Sequence, residues 1–429
     1  MNTNFLIPSL TQIQEKVRNI NDEPLEILPW EQIEPWKNRI SQLKIKSGIP
    51  SYLIIPNTKD MLSQFLNVCD EHLYPIFPLG NGSKISWGKL PPQAKIFVST
   101  QKLDRIVDHA VEDLTVTVES GMTLKNLQNF LRLQNQFLPI DPCFPESATI
   151  GGIIATANTG SWRQRYGGVR DLLLGISFMR GDGKEAKAGG RVVKNVAGYD
   201  LMKLFTGSYG NLGIITEATF RLFPLPENSL TVMVTGEKES IYQLQKTVSA
   251  SGLTPTAMDL CSKSLVKSHD LGTGFGLIFR FQGITESIKQ QSSQVQNIAE
   301  KFDLSTKIYQ NQEELNLWEN LPLKTYQGDV ICKVGILPSQ ALNLLDKFDN
   351  NGLINVSQGI GFLSFMNDIK SHQILNVRQF CTENSGFLTI LKAPFKEQIE
   401  PWGYVGNGLP MMKTIKHNFD PRGVFIDRL

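Results

Sequence analysis

The 429-residue chain lacks several of the features that assign a protein quickly. It has five cysteines, at 69, 143, 261, 332 and 381, and no two of them stand in a Cys-x-x-Cys spacing. A zinc or iron–sulfur site held by this chain alone is therefore not expected, and the thiols read as reduced and structural. Charge imbalance is missing too. Forty-three Lys and Arg against 41 Asp and Glu leave a net charge of +2, which gives no electrostatic footprint for nucleic acid and no polybasic anchor. No run of 18 apolar residues occurs, so no transmembrane segment is expected. The N-terminal MNTNFLIPSLTQIQEKV has no basic stretch followed by an apolar one, unlike a secretory signal. Histidine is scarce: His72, His109, His269, His372 and His417 stand isolated, and a structural or surface role is expected for each. No metal site is expected.

What is present points to two or three domains. Residues 1–46 read as an N-terminal extension, with a helical pattern in Leu10–Val17 and a Pro- and Trp-bearing stretch, LPWEQIEPWKNRI. From residue 50, short β-rich runs alternate with helices. Ser51–Ile55 is a strand, Thr58 or Asn57 can cap a helix running to about Glu71, and Tyr74–Leu79 is a second strand that runs straight into Gly80-Asn81-Gly82-Ser83-Lys84. Fourteen of the 35 glycines fall between 151 and 213, which suggests backbone lying close to a large ligand or a hairpin-rich subdomain. After Pro224-Leu225-Pro226 the pattern becomes strand–helix–strand, and an antiparallel sheet with helices on one face is expected.

Three segments could carry chemistry. In the first, residues 80–84, successive N–H groups of a glycine turn can form an anion-binding nest, with Ser83 and Lys84 adding a hydroxyl and a positive charge. The nicotinamide-type fingerprint fails because Ile85 stands where its third glycine would be. The second, Ala148 to Gly160, is built of small residues that let backbone lie flush against an extended ligand. The third comprises Gly167-Gly168, the hairpin signal Gly181-Asp182-Gly183, a loop from Lys194 entering a helix at Leu201, and Gly207–Gly213 before a strand starting at Ile214. Taken singly, the first and third are more at home in ordinary turn chemistry, and the second reads equally well as a closely packed, buried helix start.

Taken together, PLGNGSKISWG, DLTVTVESGMTL, ATIGG, YGGVRDLLLG, VVKNVAGYDLMKLFTGSYGNLGIITEATFRLFPLP and a closing FDPRGVF resemble the flavin-binding module of the vanillyl-alcohol oxidase (PCMH-type) superfamily. In style they are nearest to the FAD-binding E subunits of glycolate oxidase/dehydrogenase. The resemblance covers about 50–227 and the final 30 residues, and it implies FAD. It also implies an α+β fold, with a two-subdomain FAD-binding module at 47–227, an α+β (ferredoxin-like) cap at 228–395, and a C-terminal segment, 396–429, packing back on the FAD domain. Residue by residue, Gly80, Asn81, Gly82, Ser83 and Lys84 match the pyrophosphate loop. Thr149, Gly151, Gly152, Ala155 and Asn158 match the segment beside the isoalloxazine and ribityl chain, and Gly213 and Ile214 match the strand entry near the ring and adenine side. Relatives that tether flavin use a His in the glycine loop. Ser83-Lys84 stand there, so the FAD is expected to be non-covalent.

For catalysis the resemblance implies hydride transfer from a small 2-hydroxy acid to flavin and onward electron transfer to a partner. The His-rich, metal-binding cap segment of hydroxy-acid relatives is not found in this sequence, and no catalytic residue can be named. Arg280, between Phe279 and Phe281, reads either as a clamp for a substrate carboxylate or as an interior Arg paired structurally. Two readings follow. One is the FAD-binding subunit of a glycolate-type dehydrogenase/oxidase complex. The other is an accessory, electron-relay subunit without its own substrate oxidation. Both imply a sister flavoprotein and an iron–sulfur subunit as partners. The expected location is cytoplasmic, or peripheral to a membrane through those partners.

Overall fold

The structure, a computed structural model, describes residues 17, 24–33, 52–89, 94–191, 198–366 and 369–428. Of the expected Leu10–Val17 helix all but Val17 lies outside the described residues, as does the loop from Lys194 to Ala197. The chain forms two compact units, both built from discontinuous pieces. One comprises 1–158, 168–224 and 406–429; the other comprises 159–167 and 225–405.

The first unit contains two main sheets. In one, Glu26–Pro29, Tyr52–Ile55, Ile96–Ser99 and Ile76–Leu79 lie side by side in that order; the first pair is antiparallel and the others are parallel. Glu26–Pro29, within the stretch read as an extension, is thus an edge strand of this sheet. The helix Lys59–His72 packs on it for legible reasons. Thr58 accepts the Met61 N–H at 3.2 Å, Leu73 closes the helix in the left-handed region, and Met61, Leu62, Phe65, Leu66 and Cys69 are buried along one face. At ~1.5–3 kcal/mol per large apolar side chain, that face holds the helix more firmly than its caps do. The second sheet is antiparallel, in the order Ile106–Ala110, Thr115–Glu119, Ile214–Arg221, Leu173–Met179, Glu185–Gly189. Its Val116, Val118, Ala218 and Phe220 form a core with Leu124, Leu127 and Leu131 of the helix Leu124–Arg132.

The second unit is one eight-stranded antiparallel sheet, in the order Ser305–Gln310, Asn228–Gly236, Phe275–Gly283, Ala257–Cys261, Asn351–Asn355, Ile360–Phe365, Val330–Gly335, Phe387–Lys392. Alternate residues such as Leu230, Val232, Leu277 and Phe279 meet the helices Lys238–Ser249, Thr285–Glu300, Pro338–Lys347 and Ser371–Glu383. The expectation of helices on a single face holds for these four only. Leu317 and Leu321 of the helix Asn311–Lys324, and Leu265 and Val266 of Lys263–Ser268, form a separate core with Met233, Ile278 and Leu353. Met233 and Ile278 alternate with the residues of the first face, so these two helices cover the opposite one.

Candidate functional site

The first unit contains a cleft of about 720 Å³, its open mouth included. Its floor is made where the parallel strand Ile76–Leu79 ends and residues 80–84 turn away. Gly82 supplies the left-handed bend, with φ 69°. Ser99 at the end of the neighbouring strand donates to the Gly80 carbonyl at 2.9 Å, fixing the loop to the sheet. Opposite lies the short helix Ile150–Ala155, started by Thr149, whose hydroxyl accepts the Gly152 N–H at 3.3 Å. The two segments touch so closely that a Cβ on Gly80 would sit 2.0 Å from Thr149 Oγ1. A third wall is the turn Ser208–Gly210 leading to Gly213–Ile215. It is tied to the helix by the Gly207 N–H on the Ile154 carbonyl (3.0 Å) and the Tyr209 N–H on the Ala155 carbonyl (2.8 Å).

Gly80, Asn81, Gly82, Ser83 and Lys84, then Thr149, Gly151, Gly152 and Ala155, then Gly213 and Ile214, all line this one cleft. Asn158 does not. Its side chain is buried, accepting the Cys143 N–H at 2.8 Å and donating to the Cys143 sulfur at 3.3 Å, so it serves the fold next to the helix rather than the cleft. The sequence reading lacked Tyr209 and Arg428. Arg428 stands three residues beyond the closing FDPRGVF, and only its distance from that motif could have drawn attention to it.

The electrostatics of the cleft are lopsided. Lys84 is buried, its ammonium 5.9 Å from the centroid of the Trp87 ring, and it has no hydrogen-bond partner among the described residues. Burial pushes its pKa down to about 8. Burial also lowers Arg428, to about 10, and raises the Tyr209 phenol to about 12, which keeps it neutral. No Asp or Glu lines the cleft among the described residues. An ammonium taken out of water without a counter-charge is costly. The cleft therefore has the chemistry of a receptor for an extended anion, with backbone donors, small residues and a waiting cation. A dinucleotide diphosphate fits that donor set.

The other residues singled out in the sequence are accounted for elsewhere. Arg280 donates through Nε to Glu314 at 3.0 Å and to Ser229 at 3.2 Å. The structural reading of Arg280 is the one found, and a substrate clamp is not. His109 contacts Gln136 at 2.9 Å, and His269 lies within 3.3 Å of the Leu265 and Asn320 carbonyls. Among the described residues no group of His, Cys, Asp and Glu could hold a metal ion, and no helix is long and apolar enough to cross a membrane.

Comparison with known proteins agrees with this chemistry. Residues 50–189 match the family described as FAD binding domain. Glycolate oxidase subunit GlcD of Bacillus subtilis is 29% identical over 277 residues, 62% of this chain and 59% of its own length. Glycolate oxidase subunit GlcE of Escherichia coli is 41% identical over 128 residues, 30% of this chain and 37% of its own length. The chain thus spans less than two thirds of these curated relatives. Among solved structures, p-cresol methylhydroxylase with substrate bound superposes with a TM-score of 0.72 at 16% identity, covering 96% of this chain and 95% of that one. Residues 50–189 are an FAD binding domain, and the chain that carries them shares its fold with p-cresol methylhydroxylase.

Proposed function

We propose that this chain is the FAD-holding subunit of an assembly that oxidises small 2-hydroxy acids. The observation that carries the reading is the cleft, with glycine-loop backbone and a buried, unpartnered Lys84 facing a small-residue helix and no carboxylate on the described walls. The substrate class rests on the glycolate oxidase subunits it resembles. When bound, FAD supplies a two-electron acceptor. The chain's own contribution is to hold it: residues 80–84 take the pyrophosphate, residues 149–155 run beside the flavin, and Gly213 and Ile214 close the third side. No His or Cys is among the described residues lining the cleft, which supports dissociable, non-covalent FAD.

A second reading, an electron-relay subunit whose sister flavoprotein oxidises the substrate, is favoured by one observation. Arg280, the candidate carboxylate clamp, is already committed to Glu314. In the first reading a sister flavoprotein and an iron–sulfur subunit take the electrons onward; in the second the sister flavoprotein supplies them and the iron–sulfur subunit receives them.

The purified chain should be yellow, and acid precipitation should release the colour into the supernatant. A colourless chain that takes up no added FAD would sink the proposal. Anaerobic mixing with glycolate or D-lactate separates the two readings. Bleaching of the flavin in the chain alone marks a substrate-oxidising subunit, and bleaching only in the co-purified assembly marks a relay.

A further inference from the structure

Arg280 is held by Glu314, so a substrate carboxylate would need another cation in the second unit. The stretch Thr159–Gly167 belongs to that unit, and its short helix Arg163–Tyr166 packs against the strand Ala257–Cys261. The stretch is tied down at two points. Ser161 donates to the Asp259 carboxylate, which also accepts from Asn355 Nδ2 at 3.0 Å. Ser357 donates to Asn355 Oδ1 at 2.8 Å, and the next residue, Gln358, donates through Nε2 to the Arg163 carbonyl at 3.2 Å.

These ties leave three polar atoms over. Arg163 Nε, Gln164 Oε1 and Gln358 Oε1 are buried and have no hydrogen-bond partner among the described residues. They belong to one neighbourhood, because Gln164 follows Arg163 in the chain and the Gln358 amide already rests on the Arg163 carbonyl. No Asp or Glu pairs with Arg163 among the described residues. Buried polar groups are normally satisfied. An ordered water can serve two amide oxygens, but it brings no counter-charge to a guanidinium. A ligand that answers all three atoms needs a planar anion for the arginine fork and an O–H donor beside it. A 2-hydroxy acid carries both on adjacent carbons.

We propose that Arg163 is the carboxylate clamp for the 2-hydroxy acid, and that the Gln164 and Gln358 side-chain oxygens determine specificity by accepting from its hydroxyl. Ser161, Asp259 and Asn355 are positioning residues that hold the stretch in place. The inference rests on the proposed oxidation of 2-hydroxy acids, and it assigns the substrate site to this chain.

The test uses the FAD-loaded chain with its flavin reduced by dithionite, so that no turnover occurs. Calorimetric titration gives dissociation constants for D-lactate and for propionate, which lacks the hydroxyl. D-Lactate affinity should fall at least tenfold in Arg163→Gln and return to within fivefold of wild type in Arg163→Lys. Gln164→Leu breaks no side-chain hydrogen bond among the described residues. It should lower the ratio of D-lactate to propionate affinity at least threefold, whereas a merely structural change would weaken both acids alike. FAD content reports whether each variant is folded. If Arg163→Gln holds no FAD, Arg163→Met is compared with Arg163→Lys at the same threshold. A smaller fall in the folded charge-removing variant, or a smaller change of ratio in Gln164→Leu, overturns the inference. So does a FAD-loaded wild type that binds no D-lactate. A wild-type chain that takes up no FAD would instead defeat the cofactor reading.

Discussion

Lys84, at the foot of the glycine loop, is 7% exposed, and Arg280, on the third strand of the eight-stranded sheet, is 6% exposed. Both are long cations taken out of water, and their surroundings differ in kind. Glu314 accepts from Arg280 at 3.0 Å and from the hydroxyls of Ser229 and Thr231 at 2.6 and 2.8 Å. The Trp162 and Trp318 rings flank the guanidinium at 5.6 and 5.3 Å, and Trp318 Nε1 donates to Thr231 at 2.8 Å. The Arg280 site is complete within the protein. Lys84 has one ring face and no hydrogen-bond acceptor among the described residues. A buried charge that is matched reports on the fold, whereas one left unmatched reports on something the protein is built to receive.

The comparison can be broken at its strongest point first. Arg280→Met leaves Glu314 buried without its cation, and removing one member of such a pair typically costs ~3–5 kcal/mol. Denaturant unfolding should show that loss, and the double variant Arg280→Met/Glu314→Leu should recover most of it, while FAD affinity stays at the wild-type value in both. A tenfold fall in FAD affinity in the folded single variant would mean that Arg280 is not merely structural. Lys84→Met should do the reverse. FAD affinity should fall by about 10- to 100-fold, since a hydrogen bond to a charged group is worth ~1.5–3 kcal/mol. The apo-protein should unfold no more easily than wild type, because an unmatched charge has been removed. A destabilised apo-protein with unchanged FAD binding would place Lys84 with Arg280.

The smallest effect sharpens the contrast. Burial disfavours the charged form of Lys84 and pushes its pKa down to about 8, from its ordinary 10.5. The folded apo-protein therefore binds fewer protons than the unfolded chain between those two values, and its stability should rise with pH across that window. Binding a diphosphate restores the proton, so FAD affinity should fall above about pH 8, approaching tenfold per pH unit. Lys84→Met should be flat by comparison. Dissociation constants at pH 7, 8 and 9 decide this, and equal slopes for the two proteins would rule Lys84 out as the linked group.

What the sequence made legible is largely what is encoded locally. Thr58 and Thr123 mark helix starts through their own hydroxyls, and the glycine loop after Leu79 is read from the turn residues themselves. Thr149 and the small residues after it can be recognised as a helix start made for close approach. What escaped depends on partners far along the chain. Glu314, which decides the role of Arg280, sits on Asn311–Lys324. Pro322 interrupts that helix's pattern, and the edge strand before it, Ser305–Gln310, is mostly polar and buries only Tyr309. Asn158 is placed with the flavin segment by the family resemblance. Its engagement with Cys143, fifteen residues back across an irregular stretch, leaves no periodic trace. Arg428 meets the Trp87 carbonyl across 341 positions, and no pattern in the sequence spans that distance.

That separation has a consequence for how the protein is made. Ile76–Leu79 is the last strand of its sheet, and its outer edge is met by the 424–426 segment. The Ile76 N–H donates to the Val424 carbonyl at 2.8 Å, and the Ile426 N–H to the Ile76 carbonyl at 3.0 Å. The whole of 225–405, which belongs to the other unit, is translated between these two partners. At ~5–20 residues per second that interval is on the order of ten to forty seconds. Throughout it the nascent chain presents an apolar parallel edge with unsatisfied backbone groups, the kind of surface that recruits strands from other molecules. The strand that carries the glycine loop is thus also the segment most in need of shielding during synthesis. Long-range closure of this sort places the completion of the cleft among the late folding events.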